Sequence, residues 1–159
     1  MFEHVRGVKS ATSGYATPDI AKTDSVKPGH AGFAEAVRVE YDSTQISYQQ
    51  LLQIFFLVAH DPTQVDRQGP DVGPRYRSIV FVQNERERTL VQAAIDSLRA
   101  GSAYPAPIVT EIAALRRFQI AESFHQDFVA NNPRSAYVVI NDLPKLEHLR
   151  AKFPSLYRQ

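Results

Sequence analysis

The sequence has no cysteine, no tryptophan and only one methionine. The lack of cysteine excludes disulfides, cysteine-ligated zinc, iron–sulfur clusters and thiol catalysis by these 159 residues. Neither sign of charge is in excess, since 18 Lys and Arg stand against 17 Asp and Glu, which argues against a nucleic-acid or membrane partner held by bulk electrostatics. No apolar run reaches the ~20 residues that span a bilayer, and no signal peptide is visible at Met1, so a cytoplasmic location is expected.

What the sequence does contain is a mixture of strand and helix patterns at the length of one domain, residues 1–159. Apolar runs predict strands at Val8–Tyr15, Phe33–Tyr41, Ser78–Val82 and Ile108–Ile112. Apolar positions at helical spacing predict helices at Tyr48–His60, Glu85–Arg99, Ala121–Ala130 and Leu143–Phe153. Residues 136–140 are predicted as a short strand or an extended segment. Because these elements mix without strict βαβ alternation, we expect an α+β fold with one sheet covered by helices.

Local capping signals delimit two of the predicted helices. Ser47 is a predicted N-cap, although Gln50 replaces the Glu that usually follows three residues later, and Pro62 lies just beyond the end of that helix. Asn84 is predicted to cap the next helix and Gly101 to end it.

Glu35 is the first candidate for chemistry. Period-two counting places it on the same strand face as Val37 and Val39. A carboxyl group desolvated among such neighbours would have a raised pKa and could act as a general acid. The alternative is a frayed strand start with Glu35 in water, and spacing alone favours it because most carboxylates are solvated.

Tyr15 and Tyr76 lie at the edges of the two long polar loops, residues 17–32 and 61–76, and Asp71 lies within the second loop. The hydroxyls of Tyr15 and Tyr76 could donate hydrogen bonds to an oxyanion or a sulfoxide oxygen, although ordinary packing is the simpler interpretation. Asp71 could orient a backbone group or a water, or it is an Asx-type turn residue. The five histidines show no His-x-His or His-x-x-x-His spacing, so neither a metal nor another cofactor is predicted.

A family resemblance runs through these same residues. His-Asp-Pro-Thr-Gln at 60–64, Arg-Gln-Gly at 67–69, Asp71, Gly73 and Tyr-Arg-Ser at 76–78 closely resemble the signature loop of the A-type peptide methionine sulfoxide reductases (MsrA). Further segments resemble the same family, namely Gly14-Tyr15, Gly32–Val39 and Ala121–Gln126. The likeness runs from about Val5 to Pro133 and so covers nearly the whole chain.

This resemblance implies a two-layer α/β sandwich with a mixed sheet, a ferredoxin-like core, and reduction of the S-epimer of methionine sulfoxide in proteins and peptides. In that family a cysteine thiolate attacks the sulfoxide sulfur, a second thiol resolves the sulfenic acid, and thioredoxin regenerates the enzyme. By motif, Glu35 takes the role of the acid that protonates the oxygen, Tyr15 and Tyr76 supply hydroxyl donors, and Asp71 organises the pocket.

The sequence also departs from the family pattern. The nucleophile of the family lies in a Gly-Cys-Phe-Trp segment at the end of the first strand and the start of the first helix. No such segment occurs here, and Met1–Val8 resembles the stretch about two helical turns later. We therefore expect a single MsrA-like domain, residues 1–159, that is truncated at its N-terminus and lacks the first strand. Pro74 and Arg75 replace the small and amide residues that usually precede the tyrosine.

Three interpretations follow from this combination. In the first, the recorded sequence starts too late, and the longer protein is a reductase. In the second, the chain is a non-catalytic relative that binds oxidised methionine or serves as an interaction domain. In the third, it is a truncated and poorly folded product. The first is preferred for the family function. The 159 residues alone are predicted not to reduce sulfoxides, because no other side chain replaces the thiolate.

Overall fold

The computed structural model describes residues 1–22 and 29–159. The chain divides into two compact units. The first unit comprises Met1–Gly14, Val37–Ala59 and Ile120–Gln159, and the second comprises Tyr15–Ala36 and His60–Gln119. Every residue that the sequence proposes for the site falls in the second unit.

Within the described residues, six strands form two sheets, and the α+β prediction is confirmed. The strands are β1 Val8–Pro18, β2 Ala34–Tyr41, β3 Arg67–Gln68, β4 Asp71–Val72, β5 Ile79–Val82 and β6 Glu111–Ile120. Four of them form one sheet in the order β2-β1-β6-β5, and β3 pairs with β4 in an antiparallel hairpin. Strands β5 and β6 run parallel, with Ile79 opposite Glu111.

Helices α1 Tyr48–Ile54 and α4 Leu143–Lys152 supply much of the core of the first unit. The predicted cap is confirmed, since the Gln50 amide donates to the Ser47 hydroxyl and the Gln50 side chain accepts from the Ser47 amide. Such a cap stabilises a helix by about 1 kcal/mol. Helix α1 continues as a π-helical turn, Phe55–Ala59, so the predicted helix extends as far as expected with a different winding. The buried residues of this core are Val5, Val8, Ile46, Leu51, Ile54, Val58 and Leu149.

Helix α2 Glu85–Ala100 belongs to the second unit and begins where the sequence predicts. The Asn84 side chain accepts a hydrogen bond from the Glu87 amide at 2.9 Å, and Gly101 is the C-cap. Val91 and Ile95, four residues apart, are the buried positions of the helix, as its apolar stripe indicates. Within the described residues, no helix combines the length and the apolar character that a bilayer crossing requires.

Three predictions about the second half of the chain are wrong. The strand predicted at Ile108–Ile112 instead begins at Glu111 and runs to Ile120, because the parallel pairing with β5 starts where the Glu111 amide donates to the Ser78 carbonyl. The segment before it, around Val109, donates instead to the Pro62 carbonyl.

The helix predicted at Ala121–Ala130 is broken in two. A 3-10 turn, Ser123–His125, and the short helix α3 Phe128–Asn131 are separated at Gln126 and Asp127. The Gln126 side chain makes two hydrogen bonds with the Ser13 backbone, and Asp127 adopts a left-handed φ of 50° that no α-helix accommodates.

The extended segment predicted at residues 136–140 is helical. A π-helical turn, Val138–Asp142, leads directly into α4. Its start is fixed by Ser135, whose hydroxyl accepts from the Val138 amide and whose carbonyl accepts from the Val139 amide. Residues 17 and 18, predicted in a loop, extend β1, and residues 23–28 of the same predicted loop lie outside the described residues.

Candidate active site

Tyr76 is placed by a short 3-10 turn, Pro74–Tyr76, that follows the β3–β4 hairpin. Gly73 precedes the turn with φ of 135°, a conformation that favours glycine, and its carbonyl accepts from the Tyr76 amide at 2.9 Å. Pro74 stands at the first position of the turn, where its fixed φ fits a helical start. The substitution of proline into the family loop is therefore compatible with the turn that carries Tyr76.

The Tyr76 phenol lies against two carboxylates. Burial, followed by the negative charges of Glu35 and Asp71, raises the pKa of Tyr76 above its ordinary value of 10.0. The hydroxyl is also hydrogen-bonded to Glu35, which adds a smaller contribution to the same rise in the pKa of Tyr76. Three of the four residues that the sequence proposes are thus brought together, and the phenol is kept as a hydrogen-bond donor.

Glu35 is exposed, so the burial that would make it a neutral proton donor is not present in the described residues. It is the second residue of β2. Val37, two residues later on the same face of the strand, is exposed as well, with 49% of its surface accessible. Ala34, on the opposite face, is fully buried. The exposure of Glu35 therefore agrees with the alternative that spacing favours, in which this carboxylate lies in water near the start of a strand.

Tyr15 belongs to the same unit and packs against an aromatic neighbour of Glu35. Its ring meets the Phe33 ring edge to face, with centroids 5.1 Å apart. The Arg75 guanidinium lies over the same Phe33 ring, 5.5 Å from its centroid. Phe33 therefore links Tyr15 to Arg75, and Arg75 partly offsets the rise in the pKa of Tyr76.

Asp71 is held by the β3–β4 hairpin. It pairs with Gln68, and the turn between them is made by Gly69, whose φ is 57°. Arg67 closes this turn by donating to the Gly69 carbonyl at 2.6 Å, and the Gly69 amide donates to the Gln64 side chain at 2.8 Å. Asp71 is thus a strand residue, rather than the turn residue that was the alternative.

Sequence reasoning missed a buried ionic cluster in this unit. Arg77 and Glu111 are each only 6% exposed, and His30 is buried beside them. Burial lowers the pKa of Arg77, while the charge of Glu111 opposes that effect. A signal for this cluster exists in the sequence, because Glu111 interrupts the apolar run Ile108–Ile112, and a carboxylate buried in a sheet requires a partner. No group of three His, Cys, Asp or Glu in the described part of the chain is arranged to hold a metal ion.

Comparison with known proteins gives the family. A family profile described as "Peptide methionine sulfoxide reductase" matches residues 1–156. The chain belongs to the peptide methionine sulfoxide reductase family. A curated relative, "Peptide methionine sulfoxide reductase MsrA 2" of Mesorhizobium japonicum, is 46% identical over 161 aligned positions, which cover 100% of this chain and 83% of the relative.

Solved structures of methionine sulfoxide reductases have the same fold. Mxr1 of Saccharomyces cerevisiae in reduced form aligns with a TM-score of 0.67 and 28% identity, covering 81% of this chain and 74% of Mxr1. Mxr1 in complex with Trx2 aligns with a TM-score of 0.52 and 22% identity, covering 73% of this chain and 64% of that one, a likeness of fold alone. The MsrA resemblance in the sequence is thus confirmed at the level of family and fold.

Proposed function

We propose that these 159 residues bind methionine (S)-sulfoxide in proteins and peptides and hold its oxygen, and that they do not reduce it alone. The observation that carries the proposal is the Glu35–Tyr76 hydrogen bond beside Asp71. It occurs in a chain that belongs to a reductase family but has no cysteine of its own. The proposal keeps the substrate class of the family and separates recognition of the sulfoxide from the redox step.

The recognition part rests on the chemistry of the sulfoxide oxygen. That oxygen carries partial negative charge and accepts hydrogen bonds from groups that can donate without being charged. In the proposal Tyr76 and Tyr15 are the hydroxyl donors, Glu35 is the acid, and Asp71 organises the pocket. Glu35 becomes an effective proton donor only when its exposed side chain is covered, because desolvation raises a carboxyl pKa. Covering would come from the bound peptide or from chain outside these residues.

The redox part requires a group that this chain does not contain. Reduction of a sulfoxide to a sulfide releases the oxygen as water and takes up two electrons and two protons. In thiol chemistry two thiols supply them: one attacks the sulfur and becomes a sulfenic acid, and the second converts it to a disulfide and water. Since the chain has no cysteine, both thiols have to come from elsewhere. We propose thioredoxin as the reductant of the complete system, as the family resemblance implies; one solved structure of yeast Mxr1 is of its complex with Trx2.

Two versions of the proposal differ in the source of the first thiol. In one, a cysteine is encoded in frame before Met1, and the single MsrA-like domain is completed by that segment. In the other, which is the alternative, the chain is a binding or interaction domain for oxidised methionine. Reading the DNA upstream of Met1 separates them: Gly-Cys-Phe-Trp codons support the first, and a stop codon that comes before any such codons supports the second. The cytoplasmic location stays a prediction.

Binding is tested by calorimetry with a peptide that carries one methionine (S)-sulfoxide. We expect the S-epimer to bind, the unoxidised peptide not to bind, and Tyr76→Phe to weaken binding because it removes the hydroxyl but keeps the ring. A matched control is Tyr157→Phe, which removes a tyrosyl hydroxyl from the first unit, whereas all the proposed binding residues belong to the second. Equal affinity for oxidised and unoxidised peptides would refute the proposal.

A further inference from the structure

The Arg77 side chain joins two backbone segments inside the second unit. Its Nη1 donates to the Pro74 carbonyl at 2.7 Å and to the Phe33 carbonyl at 3.4 Å. Its Nη2 donates to the carbonyls of His30 and Gly32, both at 2.9 Å. One buried guanidinium thus satisfies four carbonyls, three before β2 and one in the turn before β5.

Glu111 orients the guanidinium from the start of β6. The Arg77 Nε lies 3.5 Å from Glu111 Oε2, an ion pair that is too long for a hydrogen bond. The other oxygen, Oε1, lies 2.5 Å from His30 Nδ1. The position of Glu111 is in turn set by the parallel register that pairs it with Ile79. The carboxylate therefore ties the guanidinium to the sheet.

The carbonyls that Arg77 binds lie close in sequence to the site. Phe33 precedes Glu35 by two residues, and Pro74 precedes Tyr76 by two residues. Because one rigid group binds both segments, it sets the relative position of the Glu35 carboxylate and the Tyr76 hydroxyl. We propose that Arg77 is a positioning residue that assembles the Glu35–Tyr76 pair, with Glu111 holding its orientation. This inference rests on the proposed function only for its effect on sulfoxide binding.

Lysine cannot replace arginine in this arrangement. A guanidinium is planar and presents five N–H groups in a fixed fork, whereas an ammonium presents three at the end of a flexible chain. Arg77→Lys keeps the positive charge, so a change in the Tyr76 titration reports geometry rather than the loss of a nearby cation. Arg86→Lys, at an exposed position of α2 in the same unit, is the matched control.

The test is an NMR titration of tyrosine ring carbons, with Tyr76 assigned through Tyr76→Phe. In the unaltered chain and in Arg86→Lys, we expect Tyr76 to titrate above its ordinary value of 10.0. In Arg77→Lys, we expect its titration to move down toward that value, because the phenol is displaced from its partly buried position beside the carboxylates. A folded Arg77→Lys chain in which Tyr76 titrates as in the unaltered chain would overturn the inference.

A second variant decides the case if Arg77→Lys does not fold. Glu111→Asp keeps the negative charge but withdraws the carboxylate by one methylene, so the same downward movement of the Tyr76 titration is expected, and its absence overturns the inference. Sulfoxide-peptide binding is measured in parallel and is expected to weaken about tenfold in Arg77→Lys, the change in affinity that corresponds to the loss of one hydrogen bond. If the titration moves but the unaltered chain binds no sulfoxide, the positioning role stands and the proposed function fails. If the unaltered chain binds and neither measurement changes, the positioning role fails and the proposed function stands.

Discussion

Two glutamates in the second unit have opposite surroundings. Glu111 is buried between Arg77 and His30, whereas Glu35 is exposed at the start of β2. Burial of an ionised carboxylate is tolerated only with partners, which Glu111 has on both oxygens. The residues that we propose to position the site, Arg77 and Glu111, are therefore buried in the protein. The carboxylate that we propose to contact the substrate, that of Glu35, is exposed to solvent. The predictions that follow test this division, beginning with the largest effect.

Removal of the buried carboxylate gives the largest expected change. Glu111→Ala leaves the Arg77 charge buried without its counter-ion, and breaking a buried pair in this way destabilises a protein by about 3–5 kcal/mol. Urea unfolding measures the loss. The control is Glu40→Ala, a strand glutamate with 60% side-chain exposure whose pair with Arg38 spans 3.8 Å, and it is expected to change stability by less than about 1 kcal/mol. Similar losses in the two variants would show that burial of Glu111 does not matter to stability.

An intermediate effect is expected at alkaline pH through Tyr76. Its folded pKa lies above the ordinary value of 10.0, so its contribution to stability is fully present below about pH 10 and is lost as the pH rises through the folded pKa. Unfolding of the unaltered chain and of Tyr76→Phe is compared from neutral pH upward. The difference between them should change only above about pH 10. A difference that already changes near neutral pH would contradict the assignment.

The smallest effect on stability is expected at the exposed glutamate. Glu35→Gln should change the free energy of unfolding by less than about 0.5 kcal/mol, as is usual for surface positions. The same variant should lower the pKa of Tyr76, because one of the charges that raises it is removed. Thermal unfolding and tyrosine titration measure the two quantities on one sample. A large loss of stability would mean that Glu35 is part of the packed structure rather than an open functional group.

Local signals allowed much of the fold to be predicted. Ser47 and Asn84 bond to amides three residues away, so their helix starts can be read from the sequence. The break at Gln126 could not be read in this way, because it depends on a hydrogen bond to Ser13, 113 residues distant. The start of β6 at Glu111 likewise depends on pairing with β5.

In the site, too, the residues within short sequence motifs could be predicted, whereas contacts between residues distant in sequence could not. Glu35, Asp71 and Tyr76 were proposed from family motifs, and the structure brings them together. The pairing of Arg77 with Glu111 joins residues 34 positions apart, and no periodicity encodes it. The exposure of Glu35 could not be predicted from the motif either, because a motif gives the residue type and not the neighbouring residues that cover it.

A turnover assay of the purified 159-residue chain shows whether these residues bind the sulfoxide without reducing it. A peptide with one methionine (S)-sulfoxide is incubated with the protein and dithiothreitol, and its mass is followed over time. We expect the peptide to be bound but to keep its oxygen, because the chain has no thiol to attack the sulfur. Loss of the oxygen over many turnovers, beyond a control with dithiothreitol alone, would show that these 159 residues reduce the sulfoxide without a cysteine of their own.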